Sequence, residues 1–337
     1  MSRKVQSIID KGFNLPSAKL KVTTPPEHVT DSIHYLMQND LVDLKAHLES
    51  YVSAGQALFN FYVNRSLPFQ GTLGSLTKRQ IEEISYHRYS QELDEAAQNF
   101  QRRESVMDKI DTEVKKEIHK RSQRWKSVEY DKEAAWSYLL GGKAAYDYAC
   151  LKSILNEIKT RDNQFKPKTL LDFGSGVGTV SWAVNEHFGG LYEIFSVDKS
   201  RDMNDLYRMV INRSKDAFDL PSGYSYRFQL PRDATVSDIA RKLPDCYRQL
   251  TFQTKYDLVT SSFTLLDFSN ESERMAYVQT LWDRVEPNGY LVLTEVGTKS
   301  GFQTMLEARD VLIHLFKDTP GYIFAPVNNF RVCSYPS

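Results

Sequence analysis

The chain has little cysteine: Cys150, Cys246 and Cys333 are the only three in 337 residues, far apart and odd in number. No disulfide framework follows, and a reducing intracellular compartment fits. Cys-x-x-Cys and His-Glu-x-x-His are both missing, so spacing supplies no complete zinc site. No apolar run approaches the ~18–20 residues of a membrane-spanning helix. An excess of charge is missing too, because 43 basic side chains face 43 acidic ones. Nucleic-acid contact would therefore have to come from a local patch. The first dozen residues carry Arg3, Lys4 and Lys11 but no apolar core of a secretory signal. The rest is an ordinary globular balance, 41% apolar and 26% charged, at a length for which two domains are the default.

Glycine is scarce before residue 165 and proline is absent between Pro68 and Pro167, so this part reads as mostly helical. Pro25-Pro26-Glu27-His28 predicts a helix start ahead of Ile33, Leu36 and Leu41. The charged run Glu82 to His119 reads as one wet helix with a narrow stripe of Phe100, Val106, Ile110, Val114 and Ile118. Its end is basic: residues 101–126 hold nine basic against five acidic side chains, among them Lys115, Lys116, Lys120, Arg121, Arg124 and Lys126, and Trp125 closes the run. Phosphate contacts need such a patch, with an aromatic for stacking. From charge alone, a solvated face with internal ion pairs is the plainer reading.

After Pro167 the texture changes. β-rich runs at Leu170–Phe173, Tyr192–Val197, Tyr224–Leu230, Tyr256–Ser261 and, after the turn Pro287-Asn288-Gly289, Tyr290–Thr294 alternate with helical patterns at Val177–His187, Asp202–Ile211, Asp238–Lys242 and Glu271–Trp282. That alternation predicts an α/β fold with a Rossmann-like, doubly wound parallel sheet behind a helical N-terminal region. The expected boundaries are 1–160 for the helical region, 161–300 for the core and 301–337 for a C-terminal helix and tail. Such sheets bind ligands beyond the carboxyl ends of their strands.

The sharpest motif is Asp172-Phe173-Gly174-Ser175-Gly176-Val177-Gly178, between a strand and a helix. The glycines permit a tight turn and a close backbone approach, and the helix start favours the polar end of a ligand. Asp198 ends the next strand, 24 residues after Gly174, where an acid can accept from both ribose hydroxyls. A dinucleotide fingerprint wants Gly or Ala where Thr179 stands. The observed spacing looks like motif I of class I S-adenosylmethionine-dependent methyltransferases, with a nicotinamide or flavin site, or a turn without a ligand, as the other readings. Ser261 and Phe263, at the fourth strand's end, join Asp172, Gly174, Ser175, Gly176, Gly178 and Asp198 as cofactor-site candidates. The run Ser261 to Leu266 holds no acid, amide or Pro pair for orienting a target amine, so no residue is a candidate catalyst. Asp267 reads as a helix cap sooner than a base. Arg227 and Arg232 are further candidates, for RNA or for the adenine edge.

Three segments resemble the methyltransferase-like protein 17 family of mitochondrial ribosomal small-subunit assembly factors: Phe165 to Gly176, Tyr290 to Gly301 with Glu307 to Asp310, and Gly321 to Pro326. The stretch from Trp125 to Ile158 matches in pattern. The resemblance implies a mitochondrial matrix protein in ribosome biogenesis and translation. It implies binding of S-adenosylmethionine, ribosomal RNA and ribosomal proteins, no membrane contact, and action without methyl transfer. An active RNA methyltransferase is the alternative. It also turns the basic patch towards RNA.

That family carries a cysteine cluster holding an iron–sulfur centre after the Phe-Ala-Pro segment. Here Val327 follows Pro326 and only Cys333 comes after, so this chain is expected not to assemble the centre alone. Class I sheets close with an antiparallel hairpin, and about twenty residues after the helix Phe302–Phe316 barely hold one. A C-terminally shortened product with an exposed sheet edge is the expectation.

Overall fold

The computed structural model describes residues 23–39, 47–67, 78–122, 127–214, 225–229, 255–318 and 320–325; at 39, 78–79, 119–122, 212–214 and 225–229 only the backbone is described. Five parallel strands form one sheet: β1 (Thr169–Phe173), β2 (Glu193–Asp198), β3 (Ser225–Gln229), β4 (Tyr256–Ser262) and β5 (Val285–Thr294). Their order is β3-β2-β1-β4-β5, so the chain reverses direction across the sheet between β1 and β4. All five residues of β1 are buried, as a central strand covered on both faces requires.

Among the described residues, seven helices lie in the N-terminal part: α1 (Glu27–Asn39), α2 (Leu48–Asn64), α3 (Lys78–Arg88), α4 (Ser90–Glu95), α5 (Phe100–Ser122), α6 (Lys132–Leu140) and α7 (Lys143–Arg161). Four more described helices belong to the sheet: α8 (Thr179–Phe188), α9 (Arg201–Ser214), α10 (Glu271–Trp282) and α11 (Lys299–Leu315). One apolar core joins α1, α6, α7, α8 and α9 to one face through Leu36, Trp136, Tyr148, Leu155, Trp182 and Tyr207. The second packs α10 and α11 on the other face through Phe173, Phe195, Tyr256, Tyr277 and Leu281. The helix starts are local: Asp131 caps Ala134 N–H at 2.9 Å and Asn270 caps Ser272 N–H at 2.9 Å. As expected from the sequence, α1 opens at Glu27, with the Pro26 carbonyl accepting from Val29 and Thr30.

Two sequence expectations change. The run from 82 to 119 is three helices, because the chain turns at Tyr89 and again between Ala96 and Asn99, whose side chain accepts from Arg102 N–H at 3.1 Å. These helices close their own small core of Ile81, Ala96, Val106, Ile110 and Val114. Pro287-Asn288-Gly289 is no turn before β5 but an irregularity inside it: Asn288 takes φ 66° and the register slips between Tyr256 and Leu258. Tyr322 to Phe324 is an irregular strap, with Phe324 against Tyr290 and under the Arg161 guanidinium. Among the described strands β5 pairs only with β4. The expected helix Asp238–Lys242, Arg232, Cys246 and the chain beyond Ala325, Cys333 included, lie outside the described residues. Cys150 is a free, partly buried thiol on α7.

Helices α2 and α6 touch backbone to backbone where a Cβ on Gly55 would run into the Ser137 carbonyl and Gly141 Cα. Gly55→Ala is expected to cost about 2 kcal/mol through overpacking. That corresponds to a melting temperature lower by ~3 °C. Thermal unfolding followed by circular dichroism checks this, and an unchanged midpoint contradicts it.

Candidate cofactor site

The loop from Gly174 to Gly178 leaves β1 at its carboxyl end. Gly174 and Ser175 N–H groups both donate to the Val197 carbonyl, at 2.8 and 3.0 Å, which ties the loop to β2. Gly176 N–H donates to Asp198 Oδ2 at 2.8 Å, and Ser200 N–H donates to Asp198 Oδ1 at 2.8 Å. One carboxylate thus braces the loops after both β1 and β2. A carboxylate can accept from several donors at once.

The three glycines, all at positive φ, do different things. A Cβ on Gly174 would strike the Thr264 side chain, and one on Gly178 would enter the Tyr207 ring. Both are glycine for internal packing. A Cβ on Gly176 would meet nothing within 4 Å among the described residues, so this side of the loop faces open space. This is where a ligand can approach the loop.

The remaining candidates divide. Asp172 is buried in β1 and accepts from Thr260 Oγ1 at 3.0 Å, fastening β1 to β4. Ser261 is buried and shares a hydrogen bond of 2.6 Å with the Tyr277 hydroxyl, so its side chain is turned towards α10. Burial pushes the Tyr277 phenol up. Phe263 adopts φ 57°, a left-handed conformation that an aromatic residue rarely takes, and its N–H donates to the Thr294 carbonyl at 2.9 Å. Tyr62 Oη, Ser262 Oγ and Thr294 Oγ1 are buried without a hydrogen-bond partner among the described residues. With the bare Gly176 backbone and Asp198, they fit a polar ligand at this end of the sheet. Lys115 and Lys116 are exposed on α5, in the separate helical unit. Of Lys120 and Arg121 only the backbone is described, as of Arg227 in β3; Arg124, Trp125 and Lys126 lie outside the described residues.

Sequence reasoning missed what closes the site. Asp267 is no cap: it pairs at 2.6 Å with the fully buried Arg65, which follows α2. Ser200 Oγ donates to the Tyr130 carbonyl at 2.7 Å, bringing the segment before α6 over the β2 end. The ammonium of Lys143 stacks on the Phe263 ring. Glu295 is half-buried, and its two oxygens accept from Leu266 and Val296 N–H, each at 3.1 Å. These partners lie far apart in sequence, and no spacing signal pointed to them.

Strand order, glycine loop and second acid together define the Rossmann-like fold of class I methyltransferases, over the strands described. The family described as Rsm22, mitochondrial small ribosomal subunit Rsm22, matches residues 132–335, more than half of the chain, and the chain belongs to that family. It is similar to the human ribosome assembly protein METTL17, mitochondrial, at 27% identity over 305 residues, 84% of this chain and 61% of that protein. It is also similar to the Rsm22-cox11 tandem proteins 1 and 2, mitochondrial, of Schizosaccharomyces pombe, at 30% identity over 180 residues, 52% of this chain and 21% of each. The chain thus spans less than two thirds of the length of these relatives. Among solved structures, Streptomyces venezuelae DesVI aligns at 20% identity over 50% of this chain and 58% of its own, with a TM-score of 0.33.

Burial raises the Glu295 carboxyl to about 7; the two N–H groups pull it down, Asp267 pushes it up and the Lys143 ammonium pulls it down. A raised acid contributes stability that is complete below its unfolded value and lost as pH rises through the folded one. Between pH 4 and pH 8 the folded state should lose about 3 kcal/mol on this account. Glu295→Gln keeps one acceptor oxygen and cannot ionise. The gap in melting temperature between wild type and Glu295→Gln should therefore narrow as pH rises through 7, and a gap independent of pH contradicts the assignment.

Proposed function

We propose that the chain binds S-adenosylmethionine at the carboxyl ends of β1, β2 and β4, and serves in the mitochondrial matrix as an assembly factor of the small ribosomal subunit without transferring the methyl group. The observation that carries the cofactor reading is the Gly176 backbone, open above and braced below by Asp198. Asp198 would take the ribose hydroxyls. Asp172, Gly174, Ser175 and Gly178 would shape the loop, and Ser261 and Phe263 the β4 exit. When bound, the cofactor supplies an electrophilic methyl group on a sulfonium. This chain's residues would bind and orient it, and no described residue is placed as a base for it: beyond Ser262 come Phe263 and Thr264, and the nearby acid Asp267 is held by Arg65.

Family membership and the relatives' names support the assembly reading. In it the helical part, residues 1–160, docks on RNA and ribosomal proteins, and 161–300 is the cofactor core. Pairs of Arg88 with Glu113, Lys109 with Glu92 and Arg102 with Glu95 neutralise acids at the surface of the helical unit. Lys115 and Lys116 stay exposed for phosphate, with Lys120, Arg121, Arg124 and Lys126 proposed to extend the patch.

Two measurements test this. In calorimetry, S-adenosylhomocysteine should bind the wild type, and Asp198→Asn should bind at least about tenfold more weakly. Unchanged affinity overturns the site. On density gradients of mitochondrial lysate, the tagged chain should run with the small subunit at low salt and leave it at high salt. Migration at the top of the gradient in both contradicts the docking role. Labelled methyl appearing in small-subunit RNA would favour the active enzyme instead.

A further inference from the structure

Lys143 and Asp147 form an ion pair whose two side chains are each 1% exposed. The Tyr138 hydroxyl donates to the other Asp147 oxygen. The Lys143 ammonium sits 3.9 Å from the Phe263 ring centroid and 5.4, 5.5 and 5.9 Å from those of Tyr62, Tyr138 and Tyr146. Four aromatic rings and one carboxylate around an ammonium make a cation cage.

Fold stability does not explain this arrangement. A buried ion pair is commonly no more stabilising than apolar residues of the same volume. Lys143 begins α7, directly after its N-cap Gly142, where the helix dipole disfavours a cation. Lysine four residues before an acid is also the poorer order for a helix pair. The cage has a telling position, however. Phe263 is the first residue after β4 and is held in its left-handed conformation; Thr264, the next, lies directly on Gly174 of the cofactor loop. The cage therefore borders the carboxyl ends of β1 and β4, where the fold presents its ligand. Gly142, at φ 88°, turns the chain so that Lys143 reaches back into it.

We propose that this cage is the acceptor side of the cofactor pocket, a site shaped for an amine or alkylammonium, and that Lys143 of the same chain fills it, closing the transfer face to outside acceptors. The proposal rests on the reading that S-adenosylmethionine binds at Gly176 and Asp198. Lys143, protonated against Asp147, has no lone pair with which to take the methyl group itself. Tyr62, Tyr138, Tyr146 and Phe263 exclude a second acceptor.

Lys143→Ala empties the cage and leaves Asp147 to hold an added cation. Lys143→Ala with Asp147→Asn leaves no unpaired buried charge, and it carries the transfer assay if the single variant fails to fold. Ethylammonium chloride should raise the melting temperature of Lys143→Ala by several degrees and leave the wild type unmoved. With S-adenosylmethionine near pH 9, neutral ethylamine should be methylated at least about tenfold faster by the variant than by the wild type. Its nitrogen lone pair forms the new N–C bond, the C–S bond breaks with its electrons going to sulfur, and the proton goes to water. S-adenosylhomocysteine calorimetry on the same proteins separates the outcomes. If neither protein binds it, the cofactor reading falls and takes this proposal with it. If the variant binds it but neither gains stability from ethylammonium nor methylates ethylamine, the cage proposal alone is overturned. A 14 Da gain on the wild-type peptide carrying Lys143 also overturns it, since the lysine would then be a substrate and not a plug.

Discussion

The Asp198 carboxylate holds together everything at the working end of this sheet. A parallel sheet delivers its loops to one edge, but nothing in the strand ladder fixes one loop against the next. Here Gly176 N–H and Ser200 N–H meet on the two oxygens of one side chain, each at 2.8 Å. Charge-assisted bonds of that kind are about twice as strong as neutral ones. They set the turn that leaves Gly176 bare while Gly174 and Gly178 are consumed by contacts with Thr264 and Tyr207. The surface a cofactor would meet is thus built by a residue that also offers the cofactor a hydrogen-bonding partner.

The N-terminal helices belong to this end of the sheet as much as the loops do. Arg65 reaches Asp267 from the end of α2, Tyr130 accepts from Ser200, and Lys143 reaches Phe263 from the start of α7. Each contact joins the helical part to a β-strand exit and includes a charged or polar group placed out of water. Such contacts depend on geometry, because breaking one partner leaves the other buried and unsatisfied. Access to the pocket is therefore coupled to the seating of α2, α6 and α7. By contrast α3, α4 and α5 enclose a core of their own, and their long helix keeps Lys115 and Lys116 exposed.

Much of the sheet was legible in the sequence because its signals are local. Strands β1 to β4 show as short β-rich runs, and Asp172, the glycine loop and Asp198 sit at fixed offsets from them. The failures share a physical cause. A helical period continues across Ser90 and Ala96, so the chain's turns there were invisible until Ile81 and Ala96 were seen closing on Val106 and Ile110. Pro287-Asn288-Gly289 has the chemistry of a turn, and only pairing with β4 makes it part of a strand. The Lys143 cage draws on α2, α6, α7 and the β4 exit, and the Arg65–Asp267 pair spans 202 positions. Periodicity and spacing carry no information about such contacts.

The measurement closest to the central claim is a titration of the nitrogen-15-labelled chain with S-adenosylhomocysteine, followed by amide resonances. The account predicts that the Gly176 and Ser200 amides, both bonded to Asp198, shift together and saturably, and that Lys115 and Lys116 on α5 do not move. Saturable binding that leaves Gly176 and Ser200 unshifted would place the ligand elsewhere and contradict the account.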